Sequence, residues 1–524
     1  MSETQTRTAT LRPGRAELDR LAARVAVAPG RELKAVASPL TGEVIGEVPI
    51  GTAEDVAAAM AEARRVQQRW AATPPKQRAK VLLRYHDLVL EKQDELLDLI
   101  QLENGKARVW AFEEIMDQAL TARYYARTAP RLLRPKRRLT AMPGLVSATE
   151  HHLPKGVVGV IAPWNYPLVL ALSDALAALA AGNAIVIKPD TQTPFTSLRA
   201  FELLEEAGLP KGLVQIVTGP GTQVGSAIID SADYLMFTGS TQTGRAIGAQ
   251  IGERLVGYSA ELGGKNAMIV TADADLDRAV PGAVVACFAN TGQLCISIER
   301  IYVDASIERA FTDRFAQAVE ALRLGAEQDY TADIGPLASK AQLDKLTGHL
   351  RDALDKGARL VAGGNARADL GPFFHEPTVV AEVTPEMDLY REETFGPLVA
   401  IYPYTNVDDA IAAVNDTEYG LNASVWCGDT KAGYRIAQQL LAGTVNVNDG
   451  YSSGWGTIDA PMGGMKASGM GRRHGAEGLL KYTEPQTIAV RSAAGQKLQD
   501  PTGNPRAYAE RFTKILRAAK HLPK

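Results

Sequence analysis

The sequence predicts an α/β protein built around parallel sheets and divided into more than one domain. Two observations carry this. From Val157 onward, short apolar runs alternate with helix-length segments, which is how a parallel sheet with crossover helices reads in sequence. The runs are continuously apolar rather than alternating, as in Val157-Val-Gly-Val-Ile-Ala162, and strands covered on both faces read that way. At 524 residues the chain is also too long for one ordinary core.

In chain order, residues 1 to 34 show no clear period and read as a loosely held arm. Val36 to Pro49, punctuated by Gly42 and Gly46, reads as a short hairpin. Ala53 to Ala72 and Pro75 to Asn104 have amphipathic helical spacing, the second ended by Asn104-Gly105, and Phe112 to Leu133 continues the pattern. The basic run Arg134 to Arg138 breaks it and reads as a solvated face, and Leu139 to His152 alternates weakly, as a hairpin arm does. Strands at 157–162, 184–188, 214–217 and 234–237 then alternate with helices at 168–181, 195–207 and 222–230. A second α/β unit starts near Asn266 and runs through the strand Thr444–Asn448, with Tyr482 to Arg491 as a last strand suited to pair with the arm near 140. In residues 504–524, Tyr508, Phe512, Ile515, Leu516, Ala519 and Leu522 recur at helical spacing among basic residues. Such a helix packs on its own protein or a sister subunit, or binds a membrane surface.

Composition excludes several classes. The 57 basic and 60 acidic residues nearly cancel, which argues against a general nucleic-acid binder. Three cysteines (Cys287, Cys295 and Cys427) make no disulfide framework and suit a reducing, cytoplasmic location. The polar start Met1-Ser-Glu-Thr-Gln-Thr-Arg is not read as a secretory signal. No apolar run has the roughly 18 residues of a transmembrane segment. The seven histidines form no ligand spacing with the cysteines, so no metal is expected.

Chemistry concentrates in two stretches. Phe288-Ala-Asn-Thr-Gly292-Gln-Leu-Cys295 brings a thiol in behind a polar, turn-forming approach, where Gly292 lets the backbone come close to a ligand. Ser259-Ala-Glu261-Leu-Gly263-Gly264-Lys265 places a lone carboxylate before a Gly-Gly turn. A nucleophile and its base commonly come from separate parts of the chain. Asn165, Lys188, Gly239 and Glu261 all lie just after apolar runs, and open sheets of this kind gather ligands at the strands' carboxyl ends.

Glu261-Leu-Gly-Gly-Lys and Gly292-Gln-Leu-Cys295 resemble the two active-site signatures of the aldehyde dehydrogenase superfamily. The likeness continues in order through Pro163-Trp164-Asn165-Tyr166-Pro167, Lys188-Pro189, Gly239-Ser-Thr-Gln-Thr-Gly244, Glu392-Glu393-Thr-Phe395-Gly-Pro397 and Pro461 to Gly469. It implies a Rossmann-like cofactor domain (1–133 and 155–262), a catalytic domain (263–465), an oligomerisation arm (134–154 and 483–494) and a C-terminal extension (495–524), in a homodimer or homotetramer. It further implies that Cys295 attacks an aldehyde, that the Asn165 amide and the Cys295 N–H hold the oxyanion, and that Glu261 activates water on the resulting thioester. For the dinucleotide it implies Trp164, Lys188, Thr191, Gly239, Ser240, Leu262, Glu393 and Phe395. NAD-preferring relatives often carry Glu at the position of Thr191, where it would repel a 2′-phosphate. NADP is therefore expected, with NAD possible.

The overall sequence is most similar to bacterial succinic semialdehyde dehydrogenases, which implies succinic semialdehyde as substrate and succinate as product. Two positions where that group carries carboxylate-binding arginines are neutral here, Ser173 and Ala289. Arg473 is expected to replace them, since guanidinium binds carboxylate bidentately; the alternative is a surface or interdomain ion pair. Trp455 is expected at the substrate mouth. Open alternatives are aromatic or medium-chain aldehydes, a CoA-acylating enzyme (disfavoured by Glu261) and a non-catalytic relative.

Overall fold

The computed structural model describes residues 12–142, 144–498 and 503–521. Its frame is two sheets with helices packed on both faces. The first has the strand order Gly469–Met470, Gly257–Glu261, Tyr234–Thr238, Val157–Ile161, Ala184–Lys188 and Val214–Ile216. All neighbours are parallel except the two-residue edge strand Gly469–Met470, which runs antiparallel with Gly469 opposite Glu261. The carboxyl ends of its parallel strands, among them Thr238, Glu261 and Lys188, therefore lie along one edge. The second sheet has seven strands, with Asn266–Val270, Ile298–Asp304 and Asn422–Trp426 side by side at its middle. Only Arg359–Ala362, at its margin, is antiparallel. The expected helix–strand alternation is present in both units.

The apolar runs are buried as their composition demands. Every residue of Ala184–Lys188, Tyr234–Thr238 and Asn266–Val270 is buried. The helix Val169–Ala181 is apolar on all sides and buried throughout, because it lies between the first sheet and the helices Pro75–Glu91 and Arg108–Leu132. A third sheet joins Thr483–Arg491, Val146–Pro154 and Lys136–Arg138 antiparallel, pairing the last strand with the arm. Among the described residues no helix is long and apolar enough to cross a membrane.

The expected arm at the N-terminus is corrected over part of its length. Arg15–Ala22 is a helix with Leu18 and Leu21 fully buried, and residues 1–11 lie outside the described ones. Burying two leucines contributes roughly 1.5–3 kcal/mol each. Arg20 on the helix and Arg24 just after it pair with Glu202 and Glu205, partners 182 and 181 residues away that local periodicity cannot show. The single helix expected over 75–104 breaks at Lys92 into Pro75–Glu91 and Gln93–Asn104. Its expected end is right: Gly105, at φ +84°, packs between Pro39 and Pro336. The C-terminal helix Pro505–Ala519 has no buried residue, and Leu522 lies outside the described residues.

Candidate active site

Cys295 sits at the end of a strained approach. Asn290, Thr291 and Gly292 are consecutive left-handed residues with φ of 49°, 59° and 69°. A side chain in that region costs roughly 1–2 kcal/mol, so other contacts must hold it. The Asn290 amide donates to the Asn165 and Gln293 carbonyls, both at 3.0 Å. The Thr291 hydroxyl donates to the Gly335 carbonyl, and the Gln293 side chain accepts from the Ala338 N–H. At Gly292 the close approach that leaves no room for a Cβ is to the backbone of Gly396 and Pro397. Beyond the thiol, the Asn266 amide donates to the carbonyls of both Cys295 and Ser297 at 2.8 Å. The two signature stretches meet there, since a Cβ on Gly264 would lie 2.9 Å from the Cys295 carbonyl oxygen.

Glu261 ends its strand at the sheet's carboxyl edge and is buried. A cavity of about 200 Å³ has Cys295, Glu261 and Asn165 together in its wall. The Asn165 amide is held by donating to the Gln293 carbonyl at 3.0 Å. Burial pushes the Glu261 carboxyl up to about 7, against the opposing pull of Arg473 and Lys481. Burial pushes the Cys295 thiol up to about 12; Arg473 opposes this, Glu261 and Glu393 add to it, and the residue's own backbone N–H favours the ionised form.

Six of the expected dinucleotide residues line the same cavity: Trp164, Gly239, Ser240, Leu262, Glu393 and Phe395. Ser240 caps the helix Thr241–Arg254, accepting from the Thr243 N–H, and helix N-termini suit phosphate. Glu393 accepts from the Gly264 N–H at 2.8 Å and is pushed up to about 7 by burial and by Glu299. Trp164 and Phe395 meet edge to face at 5.7 Å. Lys188 and Thr191 stand farther along the same sheet edge, outside the cavity wall. Lys188 is buried and donates to the Pro189 carbonyl at 3.3 Å, its one hydrogen bond among the described residues. Burial holds its pKa below the usual lysine range. A buried cation with spare donors, a capped helix start and two cavity aromatics fit a dinucleotide.

The two expected substrate residues are placed differently. Trp455 packs in an apolar cluster that includes Cys295, Tyr166, Leu170, Tyr451 and Met462. Arg473 does not line the cavity. It is buried, forms an ion pair with Asp174 at 3.0 Å and donates to the Thr238 hydroxyl at 3.3 Å. The alternative expectation is a surface or interdomain ion pair; the pair with Asp174 is a buried one, and it already engages the guanidinium. Ser173 is committed too, donating to Asp117 and accepting from Gln118.

Several supporting residues escaped the sequence reading. Glu299 accepts from the Thr394 and Phe395 N–H groups at 2.9–3.0 Å and from Lys265 at 2.5 Å, which holds Phe395 in its left-handed φ of 57°. Lys106, fully buried, donates to Glu114 and to the Asn165 carbonyl, both at 2.7 Å. The other Glu114 oxygen accepts from the Leu168 and Val169 N–H groups, so this pair clamps the loop carrying Asn165. Gln342 and Lys345 reach the cavity from a distant helix. A carboxylate inside the apolar strand run Ile296–Val303 is the one signal that could have exposed Glu299.

Residues 27–488 match the model of the aldehyde dehydrogenase family. The chain is 53% identical over 514 residues to a Mycolicibacterium smegmatis protein named provisionally as an NADP(+) succinate-semialdehyde dehydrogenase, covering 98% of this chain and 99% of that one. It is 37% identical over 464 residues to phenylacetaldehyde dehydrogenase of Pseudomonas fluorescens, covering 87% and 92%. The NAD+ complex of a Bacillus cereus aldehyde dehydrogenase superposes with a TM-score of 0.84 at 35% identity, covering 89% and 94%.

Proposed function

The chain belongs to the aldehyde dehydrogenase family, and from that premise we propose that it oxidises succinic semialdehyde to succinate with NADP, through a covalent intermediate on Cys295. The observation that carries the chemistry is the convergence of Cys295, Glu261 and Asn165 on one cavity wall. The Cys295 thiolate adds to the aldehyde carbon, and the oxygen takes the electron pair. The Asn165 amide and the Cys295 N–H stabilise that oxyanion, each such donor contributing ~2.7–4 kcal/mol. Lys188, Glu393 and the Ser240-capped helix would hold the dinucleotide, which when bound supplies the hydride acceptor. With the carbon's hydride given up to that acceptor, the oxyanion's electron pair would re-form the carbonyl as a thioester on Cys295. Glu261 takes a proton from water, the hydroxide adds to the thioester, and the thiolate departs to leave the acid. A general base of this kind contributes about 10²–10⁴-fold.

NADP is supported by the neutral Thr191 and by the name of the mycolicibacterial relative. The same name supports the substrate. The proposal extends to a cytoplasmic homodimer or homotetramer, whose arm strands expose Leu153, Ile488 and Val490 for a partner. A second reading, an aromatic or medium-chain aldehyde, is favoured by the apolar cluster around Cys295. The likeness to phenylacetaldehyde dehydrogenase points the same way.

Steady-state kcat/KM for succinic semialdehyde, phenylacetaldehyde and hexanal, each with NADP and NAD, tests both readings. Preference for succinic semialdehyde with NADP upholds the first, and preference for the neutral aldehydes upholds the second. Cys295→Ala is expected to abolish all activity; retention would refute the mechanism.

A further inference from the structure

We propose that Arg473 is a positioning residue: Asp174 and Thr238 clamp its guanidinium behind the cavity wall, where its fixed charge favours the Cys295 thiolate and the Glu261 carboxylate over their protonated forms. The inference rests on the catalytic roles just proposed for those two groups.

The backbone of Arg473 is pinned, its N–H donating to the Met462 carbonyl at 2.7 Å and its carbonyl accepting from the Met462 N–H at 2.8 Å. Met462 packs in the apolar cluster of Cys295, and the next residue, Gly463, lies against the Glu261 carboxylate. The same segment, three residues earlier, forms the edge strand beside Glu261. The side chain is held by Asp174 and by Thr238, and Thr238 itself lines the cavity.

Charge balance gives the clamp its direction. Asp174 is shared by two cations, Arg473 at 3.0 Å and Lys481 at 2.8 Å, and also accepts from the Tyr482 hydroxyl. Asp174 therefore divides its charge between Arg473 and the partly buried Lys481. The charges acting on Glu261 are Arg473, Lys481 and Arg472 on the favourable side and Asp174 on the other. Those acting on Cys295 are Arg473 on the favourable side, with Glu261 and Glu393 opposing. Arg473 alone serves both. Its neighbour His474, pushed down to about 3 by burial and by Arg473 itself, adds no charge. Asp117, also acting on Arg473, is pushed up to about 6 by burial.

The test is the pH dependence of Cys295 alkylation by iodoacetamide, a readout independent of aldehyde turnover, together with the pH profile of kcat. In Arg473→Gln, alkylation at a given pH should slow at least tenfold and the rising limb of kcat should move to higher pH. Arg473→Lys, which keeps the charge, should restore most of both. Asp174→Asn removes the opposing charge and should move the kcat limb the other way, to lower pH. Should Arg473→Gln fail to fold, the Lys and Asn variants decide alone. Profiles that stay at their wild-type positions in Arg473→Gln, or in Asp174→Asn where the Gln variant does not fold, would overturn the proposal. Full activity in Cys295→Ala would instead overturn the catalytic reading beneath it.

Discussion

Replacing Gly292 by alanine tests how the thiol is positioned. A Cβ at Gly292 would lie 2.3 Å from the Gly396 carbonyl oxygen, 2.5 Å from its carbon and 3.0 Å from the Pro397 nitrogen. All three are backbone atoms, so no side chain can swing aside. Ordinary contact begins at 3.4 Å, so one segment must move by about 1 Å. The φ of +69° adds the left-handed cost of roughly 1–2 kcal/mol for alanine. One of the two segments carries Cys295 three residues on, and the other carries Phe395 next to Gly396. A misplacement of about 1 Å at a reacting group can cost ~10²-fold in rate. Gly292→Ala should therefore lose roughly 10²-fold in kcat/KM and melt at a lower temperature, while circular dichroism shows a folded protein. Wild-type kcat/KM at an unchanged melting temperature would refute the claim that this backbone contact places the thiol.

Three other outcomes follow from the same geometry. Asn165→Ala removes an oxyanion donor and should lower kcat by about 10²–10³-fold, with cofactor affinity, read by fluorescence titration, little changed. Deacylation should rise with pH through about 7, because the buried Glu261 carboxyl is pushed there and acts as a base only once ionised; rapid-quench hydrolysis of the acyl-enzyme from pH 5.5 to 9 would show it. In Glu261→Gln that limb should vanish and the acyl-enzyme accumulate, seen by mass spectrometry. Thr191→Glu should swing the kcat/KM ratio toward NAD by at least about tenfold, since a carboxylate there meets a 2′-phosphate carrying nearly two negative charges.

Much of the site was legible because its chemistry is tied to local backbone signals. Cys295, Glu261, Asn165, Glu393 and Phe395 each stand within three residues of a glycine or a proline, and turns that aim a side chain into a cleft need such residues. The same holds for the sheet edge, since a continuously apolar run ends where its strand leaves the core. Gly292 shows the limit: its special conformation was readable, but the neighbour that demands it, Gly396, was not.

The residues that sequence reasoning missed or misplaced depend on partners far along the chain. Leu18 and Leu21 looked like part of an aperiodic arm until a core 180 residues on received them. Arg473 was readable as a cation near the site. Whether it faced a substrate or an internal carboxylate turned on Asp174, a residue on another helix whose burial nothing local announces. Lys106, Glu114, Glu299 and Lys265 are all buried charges, stable only because each finds its counter-charge in three dimensions. From sequence alone came the α/β class, the strands and the reactive groups, because periodicity and turn chemistry are short-range properties. Which charges face the thiol, and what holds them there, was decided only by tertiary packing, because electrostatic pairing depends on distance in space.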